Sequence, residues 1–394
     1  MKKTNWIAIA AMIFLCGMIS FVTNLAAPIG TVWKNAMAGS NTAGMMGNMM
    51  NFAAYLIAGI PSGMLLTKLG YKRTAMVAVA TGFTGVGVQY LSGFFGAGAP
   101  GFGVYLSGAF IAGISMCLLN VVTNPMLNTL GGGGKRGNQL NLVGMTFNSM
   151  TGALTPLLVM ALIGTVKPET KMTDVNLVLF IAMGVFAAVF AILAFLDIKD
   201  PQSVVVTEKI GVFEPLKFRH TLFGVIGIFC YVGVEVGIPA MMLLWLTSIS
   251  GDAASAGKMA GLYWTMMIVG RAVCSAIGGK VHARTMLSFA MGLGIVLCAL
   301  GIVTKCPWFF IACGLCTAPG FPSTFNLAVE GLGKYTNAAS GLFMTMIVGG
   351  GILPLLQGAI ADKAGYMSAF AVSITAFAYL FSYAAFLSRP QAAE

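Results

Sequence analysis

The chain consists of long apolar runs separated by short polar or glycine-rich breaks. Of its 394 residues only 8% are charged, whereas a soluble domain of this size carries about a quarter charged residues. A helix that crosses the hydrocarbon core of a membrane needs about 20 apolar residues. The pattern therefore predicts an all-α integral membrane protein with twelve transmembrane helices, near residues 6–32, 42–66, 74–95, 102–128, 139–164, 175–196, 219–247, 258–279, 285–304, 308–330, 338–361 and 367–388.

Lysine and arginine are distributed unevenly between the breaks. If the N-terminus is inside, fifteen of the 22 lie in inner connections, six in outer connections and one, Arg271, within a span. Cytoplasmic loops carry an excess of basic residues, so both termini are expected in the cytoplasm. The short loops, and a first apolar run too long for a signal-peptide core, favour a bacterial inner (cytoplasmic) membrane. Because the basic residues form no continuous patch, we expect no nucleic-acid partner.

The longest polar connection divides the predicted spans into six and six. We predict an N-terminal six-helix lobe over residues 1–196, a cytoplasmic linker over 197–218 and a C-terminal six-helix lobe over 219–394. The lobes also resemble each other, because similar segments around Pro156 and Pro354 recur at an offset of 198 residues. Such an internal repeat is typical of carriers built from two pseudo-repeats.

Glu235 is the acidic residue that the sequence places nearest the bilayer midplane. It lies fifteen residues after His220 and twelve before Thr247 in the predicted seventh span. An ionisable group at this depth costs about 2.5–3.5 kcal/mol to insert, which makes a functional role the first hypothesis. Glu235 is therefore the candidate for proton coupling; the alternative is that it braces neighbouring helices.

Amide side chains form stripes on several predicted spans. On the fourth, Asn120, Asn124 and Asn128 fall within roughly 80° of one another at about 100° per residue. A single amide in a span often bonds a neighbouring helix, but a convergent set that both donates and accepts suits a neutral polyhydroxyl ligand in an aqueous cavity. Aromatic rings could stack on its apolar face. The predicted substrate-binding residues are Asn24, Asn120, Asn124, Asn148, Tyr231, Glu235, Trp264 and Asn326.

Arg271 is a cation within the predicted eighth span, roughly 13 Å from its inner end at 1.5 Å per residue. One interpretation pairs it with Glu330, at the inner end of the tenth span, as part of an inner gate. The other is that its long side chain reaches the membrane surface.

Several motifs resemble known transporters. The segment from Gly63 to Arg73, GMLLTKLGYKR, resembles the loop signature between spans two and three of the major facilitator superfamily, although Thr67 stands where an acid is usual. More specific blocks resemble the fucose/galactose/glucose:proton symporter family, namely residues 119–125, 231–236, 321–336 and 347–351. The predicted gating and cytoplasmic residues come from two places. The loop signature supplies Gly63, Lys68, Gly70, Lys72 and Arg73, and the later spans supply Arg271 and Glu330.

This resemblance implies the two-lobe, twelve-helix fold and import of a neutral sugar, either a hexose or a sugar derivative, by alternating access. Two carboxylates that the family uses for substrate and protons are amides here, at Asn24 and Asn120. Coupling is therefore open between a proton symporter that uses Glu235 and a facilitative uniporter. The rival within transport is an exporter of amphipathic compounds.

Functions outside transport are less well supported by the residues. His220 and His282 have no predicted nucleophile or metal partners, and Cys313 and Cys316 have no further ligands near them in the sequence, so we expect neither an enzyme nor a cofactor. A ligand sensor would need an output domain or a partner surface, and the linker is too short to hold an output domain. We expect a monomer surrounded by the lipid bilayer, with a sugar and, for symport, protons as its partners.

Overall fold

The computed structural model describes residues 6–37, 41–164, 166–167, 169–195 and 210–390. Most of the predicted linker, up to residue 209, lies outside these residues. The described residues form helices and no β-strand, as expected where backbone groups must be satisfied within lipid. Thirteen α-helices follow in chain order: α1 Trp6–Ala36, α2 Asn41–Ser92, α3 Ala99–Leu130, α4 Gly134–Ile163, α5 Asn176–Phe195, α6 Arg219–Ser250, α7 Ala253–Ile277, α8 Ala283–Thr304, α9 Pro307–Thr317, α10 Gly320–Val329, α11 Thr336–Thr345, α12 Gly349–Ala364 and α13 Tyr366–Ser382.

Helix α2 is too long for one membrane crossing. Its 52 residues would extend about 78 Å at 1.5 Å per residue, whereas the hydrocarbon core is about 30 Å thick. Gly70 interrupts the helix with φ 75° and ψ 178°, a conformation that is essentially restricted to glycine. The two halves of α2 correspond to the predicted second and third spans.

Ten helical segments of the described chain are long and apolar enough to cross a membrane, with α2 counted as one of them. The predicted tenth span is divided into α9 and α10, of 11 and 10 residues, on either side of Ala318 and Pro319. Proline lacks the amide hydrogen needed to continue a helix without a break. The break at Gly70 and this division account for the difference from twelve, and the count of twelve stays a prediction.

The chain divides into two compact units. The first unit comprises Met1–Met126 and Phe147–Lys209, and the second comprises Leu127–Thr146 and Ile210–Glu394. Helix α4 therefore contributes its first half to the second unit and its second half to the first. The six-helix lobes on either side of residues 197–218 stay a prediction.

Each unit has its own packed core. In the first unit, α2 packs against α1 and α5; in the second, α6 packs against α7, α10, α12 and α13. The rings of Phe310 and Phe370 stack in the second core with centroids 3.9 Å apart. Large apolar side chains such as Phe289 and Leu355 are instead exposed, which suits helices that face lipid.

Candidate functional site

The first unit holds a buried polar cluster on α2 and α3. The Asn120 amide donates to the Tyr55 hydroxyl at 2.7 Å, and the Asn124 amide donates to the Asn120 backbone carbonyl at 2.9 Å. Asn120 and Asn124 adjoin because positions four apart on a helix share a face, and Tyr55 reaches them from α2. Hydroxyl and amide groups in one cluster can both donate to and accept from a ligand hydroxyl.

Two further predicted residues of the first unit lie where α1 meets the second half of α4. Asn24 donates to the Ser20 carbonyl at 2.8 Å on its own helix, and Asn148 donates across to the Cys16 carbonyl at 2.7 Å. Gly152 permits the close approach, since a Cβ there would lie 2.9 Å from the Asn24 amide nitrogen. Asn148 therefore has the interhelical bond that is the ordinary role of an amide in a span.

The second unit contains an ion pair near the middle of α6 that joins a buried arginine to a partly buried glutamate. Arg271 Nη2 on α7 lies 2.8 Å from Glu235 Oε1, and the two side chains are 5% and 16% exposed. The same nitrogen donates to the Tyr231 hydroxyl at 3.2 Å. Tyr231 precedes Glu235 by one helical turn, so the two residues of α6 face Arg271 together. We call Tyr231, Glu235 and Arg271 the charged triad.

Aromatic residues surround the charged triad. Tyr231 lies with its ring centroid 6.2 Å from that of Phe321, and Tyr263 on α7 donates its hydroxyl to Thr317 at 3.0 Å. Trp264 packs edge-on against Tyr263 and is 39% exposed. Tyr231 and Tyr263 are fully buried, so they fix the shape of this region.

The structure pairs Arg271 with Glu235, whereas one of the two interpretations from the sequence paired it with Glu330. Arg271 forms its salt bridge with Glu235, while the Glu330 side chain is exposed and its backbone carbonyl lies 2.9 Å from His220 Nε2. Physically, Glu235 offers a partly buried carboxylate that Arg271 can neutralise, whereas an exposed Glu330 is already hydrated. Sequence distance gave no means of choosing between the two acids.

Asn326 on α10 belongs to a buried amide network. It accepts a hydrogen bond from Asn141 at 2.9 Å and donates to Asn138 Oδ1 at 2.9 Å, and the Ser323 hydroxyl also reaches Asn138 Oδ1 at 3.3 Å. Asn326 and Glu330 also line a cavity of about 330 Å³. Asn138 was missed from the sequence because it lies one residue before the predicted fifth span.

The loop signature lies at the break in α2. Lys72 donates to the Ala194 carbonyl at 3.1 Å, which ties the break to the end of α5, and the Thr67 hydroxyl donates to the Gly63 carbonyl at 3.0 Å. Lys68 and Arg73 are exposed. The gating role of these residues stays a prediction.

Curated relatives cover nearly the whole chain. The glucose/galactose transporter of Brucella abortus is 29% identical over 97% of this chain and 94% of its own length. The putative glucose/galactose transporter of Helicobacter pylori strain 26695 is 29% identical over 84% and 85% of the respective lengths. The L-fucose-proton symporter of Escherichia coli K12 is 24% identical over 86% and 83%. These relatives confirm the expectation of a transporter rather than an enzyme.

Solved structures show the same fold. The major facilitator superfamily transporter FucP in its outward conformation matches with a TM-score of 0.84, at 18% identity over 97% of this chain and 100% of that one. The proton:xylose symporter XylE matches with a TM-score of 0.72, at 10% identity over 97% and 96% of the two chains. At these identities the likeness establishes the fold alone, and the predicted all-α membrane fold is confirmed.

The sequence model of the Major Facilitator Superfamily matches residues 9–353, which is most of the chain. This match extends into both units and includes the charged triad and the Asn120 cluster. The chain belongs to the Major Facilitator Superfamily.

Proposed function

We propose that this protein imports a neutral sugar across the membrane by alternating access. Relatives that align over most of the chain are named for glucose and galactose or for L-fucose. Sugars present many hydroxyls and no charge, which suits sites rich in amides and hydroxyls. We further propose that residues 1–196 and 219–394 act as the two six-helix lobes of the carrier, joined by the cytoplasmic linker 197–218.

The observation that carries this proposal is the charged triad. Glu235 lies at the middle of α6, yet its charge is balanced by Arg271, so a buried site with two ions is neutral overall. Such a site disfavours a charged ligand, because adding one leaves an uncompensated charge in a low-dielectric surrounding. The Glu235 carboxylate and the Tyr231 hydroxyl remain suited to bind sugar hydroxyls.

The other proposed substrate contacts are amides and an aromatic ring. In the first unit they are Asn24, Asn120, Asn124 and Asn148, and in the second they are Trp264 and Asn326. Support comes from the Tyr55, Asn120 and Asn124 cluster and from the burial of Asn326, at 6% exposure. Buried amide groups are costly unless they have hydrogen-bond partners, and a ligand hydroxyl can supply such partners.

Coupling to protons is the finer point of the proposal. The symport alternative places a proton on Glu235, and the groups facing it are Arg271, Tyr231 and Tyr263. A proton would have to displace the salt bridge to Arg271, which favours the uniport alternative. The relative named as a proton symporter favours symport.

Uptake into proteoliposomes tests the function. Purified protein would be given labelled D-glucose, D-galactose and L-fucose, with and without an inward proton gradient. Accumulation above equilibrium only with the gradient supports symport, and uptake that stops at equilibrium in both conditions supports uniport. If none of the sugars moves while an amphipathic dye does, the exporter alternative replaces this proposal.

Glu235→Gln separates the two coupling alternatives. In a symporter the variant loses uphill uptake but keeps sugar exchange, because the amide cannot release a proton. Unchanged uphill uptake in this variant would exclude Glu235 as the proton site. Ser115→Ala is the comparison variant, because it removes a buried hydrogen bond to the Ala78 carbonyl in the first unit without touching a titratable group or a proposed substrate contact.

For location, we propose a bacterial inner membrane with both termini in the cytoplasm and a monomeric carrier. The support is the excess of basic residues on the predicted inner connections, fifteen against six. The integral membrane fold is common to the solved structures that this chain resembles.

A further inference from the structure

The first half of α4 is held by polar contacts in the second unit. We call residues 134–146 the latch segment, because the same helix continues at Phe147 into the first unit. Residues 134–146 and residues 147–163 thus belong to one continuous helix but to different units. What holds the latch segment is therefore of functional interest.

Amides bind the latch segment to α10. Asn141 donates to Asn326 and Asn326 donates to Asn138, each at 2.9 Å, and the Ser323 hydroxyl donates to Asn138 at 3.3 Å. Asn138 and Asn141 are 0% and 1% exposed. Within the part of the chain that the structure describes, Asn138 Nδ2 and Asn141 Oδ1 have no partner. A buried network left incomplete is weaker than a complete one, so these contacts suit a latch that has to open.

A second set of contacts binds the latch segment to α7. Gln139 donates to the Ser275 carbonyl at 3.1 Å, and the hydroxyls of Thr146 and Ser275 lie 2.9 Å apart. The approach is close, since a Cβ on Gly279, just after α7, would lie 2.6 Å from Gln139 Oε1. Helices α7 and α10 thus hold the part of the segment from Asn138 to Thr146.

Arg271 joins the latch segment to the charged triad. Its Nη1 donates to the Met145 carbonyl at 3.4 Å, while its Nη2 binds Glu235 at 2.8 Å and Tyr231 at 3.2 Å. The Ser275 hydroxyl, which also contacts Thr146, donates to the Arg271 carbonyl at 2.7 Å. One guanidinium therefore bonds both the proposed substrate-binding carboxylate and the end of the latch segment.

We propose that Arg271 is a positioning residue that couples the occupancy of Glu235 to the latch segment. When a ligand hydroxyl binds Glu235, the guanidinium shifts from its empty-site position and its bond to Met145 is lost. The amides of the latch segment then separate from Asn326, and α4 becomes free to move. This inference rests on the proposed sugar transport for the identity of the ligand, but not for the existence of the latch.

A reversible cross-link tests whether the latch must open. In Asn141→Cys/Asn326→Cys, oxidation should join two positions whose native side chains are hydrogen bonded. We expect uptake to fall about tenfold or more on oxidation, because the cross-link holds the latch closed and the open state cannot be populated. Uptake should recover when dithiothreitol reduces the disulfide. The matched control is Ser62→Cys, which can form a disulfide with the native Cys117 within the first unit. In the unmodified chain the Ser62 Oγ lies 3.6 Å from the Cys117 Sγ. Its cross-link should leave uptake unchanged; full uptake by the cross-linked latch variant would overturn the proposal.

Accessibility of Asn141→Cys tests the role of Arg271. We expect maleimide labelling of this cysteine to rise about threefold or more when either Arg271→Gln or Arg271→Lys is added, because neither side chain has two separate nitrogens that reach Met145 and Glu235 together. Saturating D-galactose should raise labelling in the parent but in neither Arg271 variant. A merely structural arginine would leave the galactose response intact, and that result would contradict coupling.

The experiments distinguish a failure of the proposed sugar transport from a failure of the proposed latch. If the unmodified protein transports none of the sugars, the proposed function is wrong, yet Arg271→Gln should still raise labelling in the absence of sugar. If sugar uptake is normal and labelling does not depend on residue 271, the latch is wrong while the proposed function stands.

Discussion

A single glycine determines the position of the Tyr231 ring. A Cβ on Gly320 would overlap that ring, so Gly320→Ala must displace Tyr231 from the charged triad. We expect sugar uptake to fall about tenfold, corresponding to roughly 1.4 kcal/mol of lost interaction. Uptake by proteoliposomes measures the loss. Gly261→Ala on α7 is the control, because its Cβ would lie more than 4 Å from every atom outside the adjoining backbone of its own helix. An equal loss in both variants would contradict the role of Tyr231.

Glu235 and Arg271 should show strong coupling in stability. Removing one member of a buried pair leaves an unpaired charge and costs about 3–5 kcal/mol, whereas removing both leaves two amides that can bond. We therefore expect Glu235→Gln and Arg271→Gln each to lower the thermal unfolding temperature in detergent, and the double variant to be more stable than either single variant. If the decrease in unfolding temperature of the double variant equals the sum of the two single decreases, the two residues contribute to stability independently and the prediction is wrong.

At this scale the sequence predicts which residues matter better than it predicts their partners. Helical periodicity places Tyr231 beside Glu235, and Asn124 beside Asn120, because each pair is one turn apart. The partner of Arg271 is 36 residues away and on another helix. Only packing decides that contact, so the sequence left the role of Arg271 open between pairing with Glu330 and reaching the membrane surface.

Among the helices, the break in α2 depends on Gly70. Alanine at φ 75° and ψ 178° is strained, so Gly70→Ala should destabilise the protein by about 1–3 kcal/mol. Gly87→Ala in the same helix is the control. Its Cβ would meet only Met183 at an ordinary 3.7 Å, and alanine in a helix interior should gain about 0.5–1 kcal/mol. Thermal unfolding in detergent measures both; a stabilising Gly70→Ala would contradict the strain.

Apolar runs predict helices well but say less about where helices bend. The predicted second and third spans correspond to the two halves of α2, yet the sequence predicts a loop where the structure has one interrupted helix. The predicted tenth span is divided at Ala318 and Pro319. Hydropathy averages over about 19 residues, so a local break is lost within the average.

For the whole molecule, the orientation of α6 can be measured directly. Lys217 lies before this helix and Asp252 after it, and both are exposed. A cysteine at each position should react oppositely with an impermeant maleimide on intact cells, with Asp252→Cys labelled and Lys217→Cys labelled only after permeabilisation. The background should carry Cys306→Ser, because Cys306 lies in a predicted outer connection. The reverse pattern would place the termini outside.

The sequence repeat predicts two similar halves, but it cannot reveal how α4 is shared between the two units. That sharing depends on Asn138, Asn141 and their contacts with α10, which are separated by about 185 residues. Residues so distant in the chain are brought together only by the tertiary fold.

The balanced charges of Glu235 and Arg271 have an electrical consequence. Moving one uncompensated charge through the full membrane potential changes the free energy by about 2.3 kcal/mol per 100 mV. An ion pair that moves as a unit carries no net charge, so import of a neutral sugar would produce no current and would be insensitive to voltage. A proton on Glu235 would leave the Arg271 charge unbalanced, and the same movement would then generate a current.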